Sequence, residues 1–247
     1  MLRFTWMLPA IMLVAGCHAL PQIPRPDSRA ERPEPTSEAP MSQLGAPLPA
    51  MRAGDERELK VVAADQMTKQ GYWDEAVELY LEAEAMAPKK PRLDAQLAPA
   101  LAGARQYPES IRRYRRLIED DPTNASLLSN LAYTLEESGD TAAAEEEFQR
   151  ALAIDPDLEN TRVNLGLLLA RQRRYDEALT VLTPAIGAPA AHHNLGVIAI
   201  ELDDETAAKQ HFARAASYPT APAATQEFIA ALSTDRHSAD QGQSRME

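Results

Sequence analysis

Small and large apolar positions recur along this chain at a fixed interval. Ala64, Ala98 and Ala132 stand 34 residues apart, and Gly166 and Gly196 continue the series. A second small series runs Ala76, Ser110, Ala144, Ala178 and Ala208. One large apolar residue then follows in each interval: Tyr80, Tyr114, Phe148, Leu182 and Phe212. Leu97, Leu131, Leu165 and Leu195 form a fourth series. A period in the thirties marks stacked supersecondary units rather than one globular core. The two small series read as the place where two antiparallel helices of one unit come closest. The large series reads as the plug between neighbouring units.

This pattern predicts helix pairs at 57–90, 91–124, 125–158, 159–188 and 189–222. Pro88, Pro122 and Pro156 share the same period and end the second helices, because proline cannot continue the intrahelical hydrogen-bond ladder. Asp55, with Glu58 three residues on, is placed to cap the first helix as a capping box. Two units depart from the pattern. Pro99 falls inside a first helix, where a kink is expected. Pro184 interrupts a second helix, which Gly187 is placed to end. A further helix over 223–232 is expected to bury Phe228, Ile229 and Leu232 as a cap, since an open array end exposes its core. Residues 233–247 read as a polar, disordered tail.

The segments GYWDEAVELYLEAEAMAP, NLAYTLEESGDTAAAEEEFQRALAIDP and NLGLLLARQRRYDEAL resemble the tetratricopeptide repeat family, over about 57–222. The resemblance implies an all-α, right-handed superhelical solenoid of about five helix pairs plus the cap. It also implies a concave face, lined by first helices, that holds a protein or peptide. The inner-face candidates are Asn130 and Tyr133 in the third unit. In the fourth they are Val163, Asn164, Leu167 and Arg171, and in the fifth Asn194, Val197 and Ile200. Asn130, Asn164 and Asn194 recur once per repeat, and an amide that both donates and accepts suits the backbone of an extended peptide. Tyr133, Leu167, Val197 and Ile200 read as an apolar stripe suited to an amphipathic helix or apolar peptide. Some family members clamp C-terminal carboxylates with Lys and Arg. The matching places here hold Ala95 and Pro99, then Ser129 and Tyr133, so that mode is not expected.

The N-terminus changes the picture. Arg3 precedes an apolar stretch from Phe4 to Ala15, too short to cross a bilayer comfortably, which reads as an export signal over 1–16. Val14-Ala15-Gly16-Cys17 resembles the bacterial lipobox, whose cysteine is lipidated and becomes the mature N-terminus. Cys17 is the single cysteine of the chain, so internal disulfides are excluded. Acyl chains on Cys17 imply a membrane anchor, and His18, where the resembled sorting rule would place Asp for inner-membrane retention, favours the periplasmic face of the outer membrane. Residues 17–53 carry eight prolines between Pro21 and Pro49. They read as a disordered tether.

The formal net charge of −12 disfavours nucleic acid as a partner. No phosphate loop, HExxH, GxSxG or paired CxxC motif occurs, so no cofactor, metal site or enzyme activity is expected. His192 and His193 point about 100° apart on a helix and suit one ion poorly. The expected role is a scaffold that binds a partner protein in its groove, in assembly of a pilus or secretion complex. LLARQRRYDEALTVLTPAIGAPAAHHNLGV is loosely similar to the lipoproteins of tight-adherence pilus systems. The alternative is docking regulation of a peptidoglycan synthase or hydrolase. An outlying enzyme reading would use a metal held by His193 and His211.

Overall fold

The computed structural model describes residues 53–243. The export signal, Cys17 and nearly all of the tether therefore lie outside the described residues. Those residues are all-α: α1 (Ala53–Gln70), α2 (Trp73–Met86), α3 (Asp94–Gly103), α4 (Tyr107–Asp120) and α5 (Ala125–Glu137) come first. Then follow α6 (Thr141–Ile154), α7 (Glu159–Arg171), α8 (Tyr175–Glu201), α9 (Glu205–Ala216) and α10 (Ala224–Gln243). The chain divides into two compact units, and among the described residues these are 53–140 and 141–243. No described helix is long and apolar enough to cross a membrane.

The small-and-large periodicity is the packing code of both units. Ala64, Ala98 and Ala132 are fully buried, as are Ala76, Ser110, Ala144, Ala178 and Ala208. Gly166 and Gly196 are small for a measurable reason. A Cβ on Gly166 would stand 2.4 Å from Leu182 Cγ, and one on Gly196 would stand 2.8 Å from the Phe212 ring. Leu182 and Phe212 thus fill the space that Gly166 and Gly196 of the facing helix leave. Ser110 fits a position otherwise held by Ala because its hydroxyl donates to the Ala98 carbonyl at 2.7 Å, which satisfies a buried polar group.

The turn between the two helices of each unit uses one backbone solution. Gly71, Arg105, Gly139, Arg173 and Asp203 occupy equivalent places and all have positive φ, between 55° and 92°. Left-handed backbone costs a non-glycine residue about 1–2 kcal/mol. At Arg173 the side chain gives something back: it donates to Asp204 Oδ2 at 2.8 Å and to the Leu202 carbonyl at 2.6 Å, in the next turn of the same unit. Asp204 in turn caps α9 by accepting from the Ala207 N–H at 3.1 Å.

Several boundaries differ from the sequence expectation. Asp55 lies inside α1 rather than ahead of it. Pro99 is accommodated within α3; the carbonyl that it leaves unserved belongs to Ala95, an exposed residue that water can reach. Pro184 is accommodated in the same way, its missing partner being the exposed Thr180. The break in α8 comes at Gly187, where the sequence places the helix end, with φ 77° and ψ 155°, a conformation open to glycine. The two limbs, 175–186 and 188–201, belong to successive repeats. Helix α10 runs to Gln243, well past the expected end of the cap at 232 and through most of the expected tail, since no proline interrupts that stretch.

The unit of residues 53–140 also holds an ion network that crosses repeats. Arg113 donates to Asp94 at 2.9 Å and to Glu84 at 3.1 Å, and its Nε donates to Glu109 at 3.0 Å. Arg116 grips Asp94 from the other side at 2.7 Å. Glu84 spends its second role accepting from the Leu93 N–H at the start of α3. One guanidinium therefore ties α2, α3 and α4 together.

Candidate functional site

The first helices α5 and α7, and the second limb of α8, carry the residues that sequence analysis singled out for docking. In the unit of residues 53–140, Asn130 and Tyr133 on α5 are both half-buried. In the unit of residues 141–243, Asn164 and Arg171 on α7 are half-buried, and Ile200 on α8 likewise. These side chains retain a solvent-facing part that a partner can touch. Val163 and Leu167 are nearly closed off, at 9% and 8% exposure.

Asn194 and Val197 are placed differently from the expectation of an open face. Each is 1% exposed. Val197 belongs to a core with Ala199, Ala208 and Phe212, against which Ile200, Phe228, Ile229 and Leu232 pack. Helix α10 thus covers this end of the apolar stripe. For Val197 the physical reason is that the cap packs over the cluster that contains it. Asn194 keeps both amide atoms, Oδ1 and Nδ2, without a hydrogen-bond partner.

Three histidines stand on α8 and α9, and each has a contact. His192 Nδ1 lies 3.1 Å from His211 Nδ1 on α9. Tyr175 meets the His211 ring edge-on at 5.3 Å, and its hydroxyl donates to Asp204 Oδ2 at 3.4 Å. His193 turns the other way and meets Thr225 Oγ1 of α10 at 2.9 Å. Burial pushes all three imidazoles below the ordinary histidine range. At His192 the neighbouring His211 and Arg214 add to that effect, whereas Asp176 and Asp204 oppose it at His211. His193 and His211 do not converge, which removes the geometric basis of a metal site built on that pair. Among the described residues no group of three or more His, Cys, Asp or Glu side chains is arranged to hold a metal ion.

Comparison with known proteins bears on the fold first. A family model described as tetratricopeptide repeat matches residues 95–159 and 163–222, and a second of the same description matches 135–188. A tetratricopeptide repeat protein from Parabacteroides merdae shares 16% identity, with a TM-score of 0.56, over 76% of this chain and 77% of that one. MamA from Desulfovibrio magneticus shares 18% identity, with a TM-score of 0.52, over 67% of this chain and 96% of that one. Both likenesses speak to the fold alone. Among curated proteins, the type IV pilus assembly protein PilF of Pseudomonas aeruginosa is 31% identical over 106 residues. The match covers 40% of this chain and 41% of PilF, so the chain spans well under half of that relative's length.

Proposed function

The chain belongs to the tetratricopeptide repeat family, and from that premise we propose that it is a lipid-anchored envelope scaffold for assembly of a pilus or secretion complex. Repeat arrays of this kind are extended protein-binding surfaces. The observation that carries the specific role is the 31% identity to a protein named for type IV pilus assembly. The anchor is the acylated Cys17, at the periplasmic face of the outer membrane, with the proline-rich segment as tether. The tether is long enough to let the repeats work on the order of 100 Å from the bilayer.

The docking contacts are assigned to the half-buried first-helix residues. Asn130 and Asn164 offer a donor and an acceptor each to a bound backbone. Tyr133 supplies apolar area with a polar tip, and Arg171 a cation suited to a carboxylate or carbonyl of the partner. Apolar Val163 and Leu167 are nearly closed off on α7. Asn194, Val197 and Ile200 lie at the end covered by α10.

Deletion of the protein separates this reading from its rival. Loss of surface fibres, or secretin that stays monomeric, is the expected result. Intact fibres with an altered muropeptide profile or cell shape would overturn it and assign the scaffold to a peptidoglycan synthase or hydrolase.

A further inference from the structure

Among the buried side-chain atoms without a hydrogen-bond partner is one ring nitrogen. His193 is 0% exposed, and its Nε2 has no hydrogen-bond partner. Its Nδ1 meets Thr225 Oγ1 at 2.9 Å. The ring lies edge-on between Phe212 of α9, at 5.6 Å, and Phe228 of α10, at 5.8 Å, and those two phenyl rings stack on one another at 4.9 Å. No charged group among the described residues faces the imidazole. On its own helix His192 is engaged by His211. On α9, Lys209 pairs with Glu205 and Arg214 is exposed. On α10, Glu227 is exposed.

A neutral imidazole tolerates this site with one nitrogen idle. An imidazolium does not, because its second N–H would be charged, buried and unpaired. The strain of a proton there falls on the weakest contact around it. Helix α10 is that contact: Phe228, Ile229 and Leu232 are only half-buried, and Gln226, Glu227, Ala230, Ala231 and Ser233 are exposed. Over its described side chains α10 is held by one half-buried face, the kind of contact that opens locally before the rest of a fold.

We propose that α10 is a displaceable cap whose release is driven by protonation of His193, uncovering an apolar helix-docking face made by His193, Val197, Ile200 and Phe212. The sign follows from the buried neutral form. The contribution of His193 to closure is complete above the free histidine pKa of about 6.5 and is lost as pH falls below it. Between pH 7.5 and 5.5 the open population is expected to rise about tenfold. The face uncovered accepts an amphipathic helix with the spacing of Thr225, Phe228, Ile229 and Leu232, because α10 itself presents that pattern to it. The inference does not depend on the pilus reading.

Hydrogen exchange of the full-length protein tests it, with times scaled for the intrinsic pH dependence and peptides of α7 as internal reference. Wild-type α10 should lose protection about tenfold at pH 5.5 relative to 7.5, while α7 does not change. The loss should begin near the free histidine pKa of about 6.5, while the His193 ring, read by NMR in the same wild-type protein, titrates below that value because burial lowers it. His193→Gln and His193→Phe should each remove the pH response. His211→Gln, which disrupts only the neighbouring pair, should keep it. Equal α10 protection at both pH values, a His193 ring that titrates at or above the free histidine value, or an acid response that survives in His193→Gln would each overturn the proposal.

Discussion

Replacing Arg113 with Ala is expected to cost the unit of residues 53–140 about 3 kcal/mol. The guanidinium is 8% exposed, and it serves Glu84, Asp94 and Glu109 at once. Its removal leaves carboxylates facing each other in a partly desolvated site. Two features keep the cost at the lower end for a buried ion pair: Arg116 still holds Asp94, and Glu84 keeps about a quarter of its surface in water. Arg112→Ala is the matched control. Its side chain is 67% exposed and pairs with Glu109 at the surface, so a loss below about 0.5 kcal/mol is expected. The fluorescence of Trp73, which lies against Gly103 in the same unit, follows denaturant unfolding of that unit. Equal effects of the two substitutions would contradict the assignment.

The same network sets an acid limit. Burial works to raise the carboxyls of Glu84, Asp94 and Glu109, but hydrogen bonds and attraction from Arg113, Arg116 and Arg112 outweigh it and hold all three below the usual carboxylate range. Groups lowered in the folded state stabilise it above their unfolded pKa of about 4, and that stabilisation is lost as pH falls below it. In Arg113→Ala this acid sensitivity should be blunted. The acid step near pH 4 is thereby distinct from the histidine step expected nearer 6.

In the unit of residues 141–243, Gly166→Val is expected to cost about 3 kcal/mol or more. The new side chain would enter space held by Leu182, whose Cγ and Cδ2 stand 2.4 and 2.6 Å from the Cβ position. Leu182 is fully buried and has no solvent to swing into. Leu182→Ala alone is expected to lose about 2–5 kcal/mol by leaving a cavity. The pair together exchanges volume across one contact, so the double variant should be more stable than the sum of the single effects allows, by at least about 1 kcal/mol. Hydrogen exchange across α7 and α8 reads this coupling. Additive losses would mean that the two positions do not meet.

That coupling explains why so much of the architecture was legible. Gly166 with Leu182 and Gly196 with Phe212 are short-range partners within one repeat, so their complementarity is printed in the sequence at a constant offset. The same constant offset relates Ala64 to Tyr80 and Ala98 to Tyr114. The ion network was not legible, because Glu84, Asp94 and Arg113 come from different helices and have no counterparts in other repeats. The break in α8 at Gly187 was legible, whereas Pro184 was expected to interrupt the helix and does not: it is a helix breaker by chemistry, but an exposed Thr180 makes it tolerable, and Gly187 takes up positive φ. Arg105, Arg173 and Asp203 hide the turn that Gly71 and Gly139 reveal. Of the residues proposed for docking, Asn130, Tyr133, Asn164 and Arg171 are half-buried, whereas Asn194 and Val197 are closed off, Val197 beneath the cap.

The measurement that bears most directly on the scaffold reading is recovery of a partner from detergent-solubilised native membranes by the full-length lipidated protein. The comparison is with the double variant Asn130→Ala, Asn164→Ala, which changes only half-buried amides. A charge placed at Leu167, by contrast, would test folding, because that side chain is 8% exposed. The account predicts that wild type recovers a secretin or pilus subunit. The variant should recover about tenfold less, as expected for two lost hydrogen bonds. Equal recovery by the variant would contradict the docking face, and a peptidoglycan enzyme in place of the pilus component would contradict the assembly role.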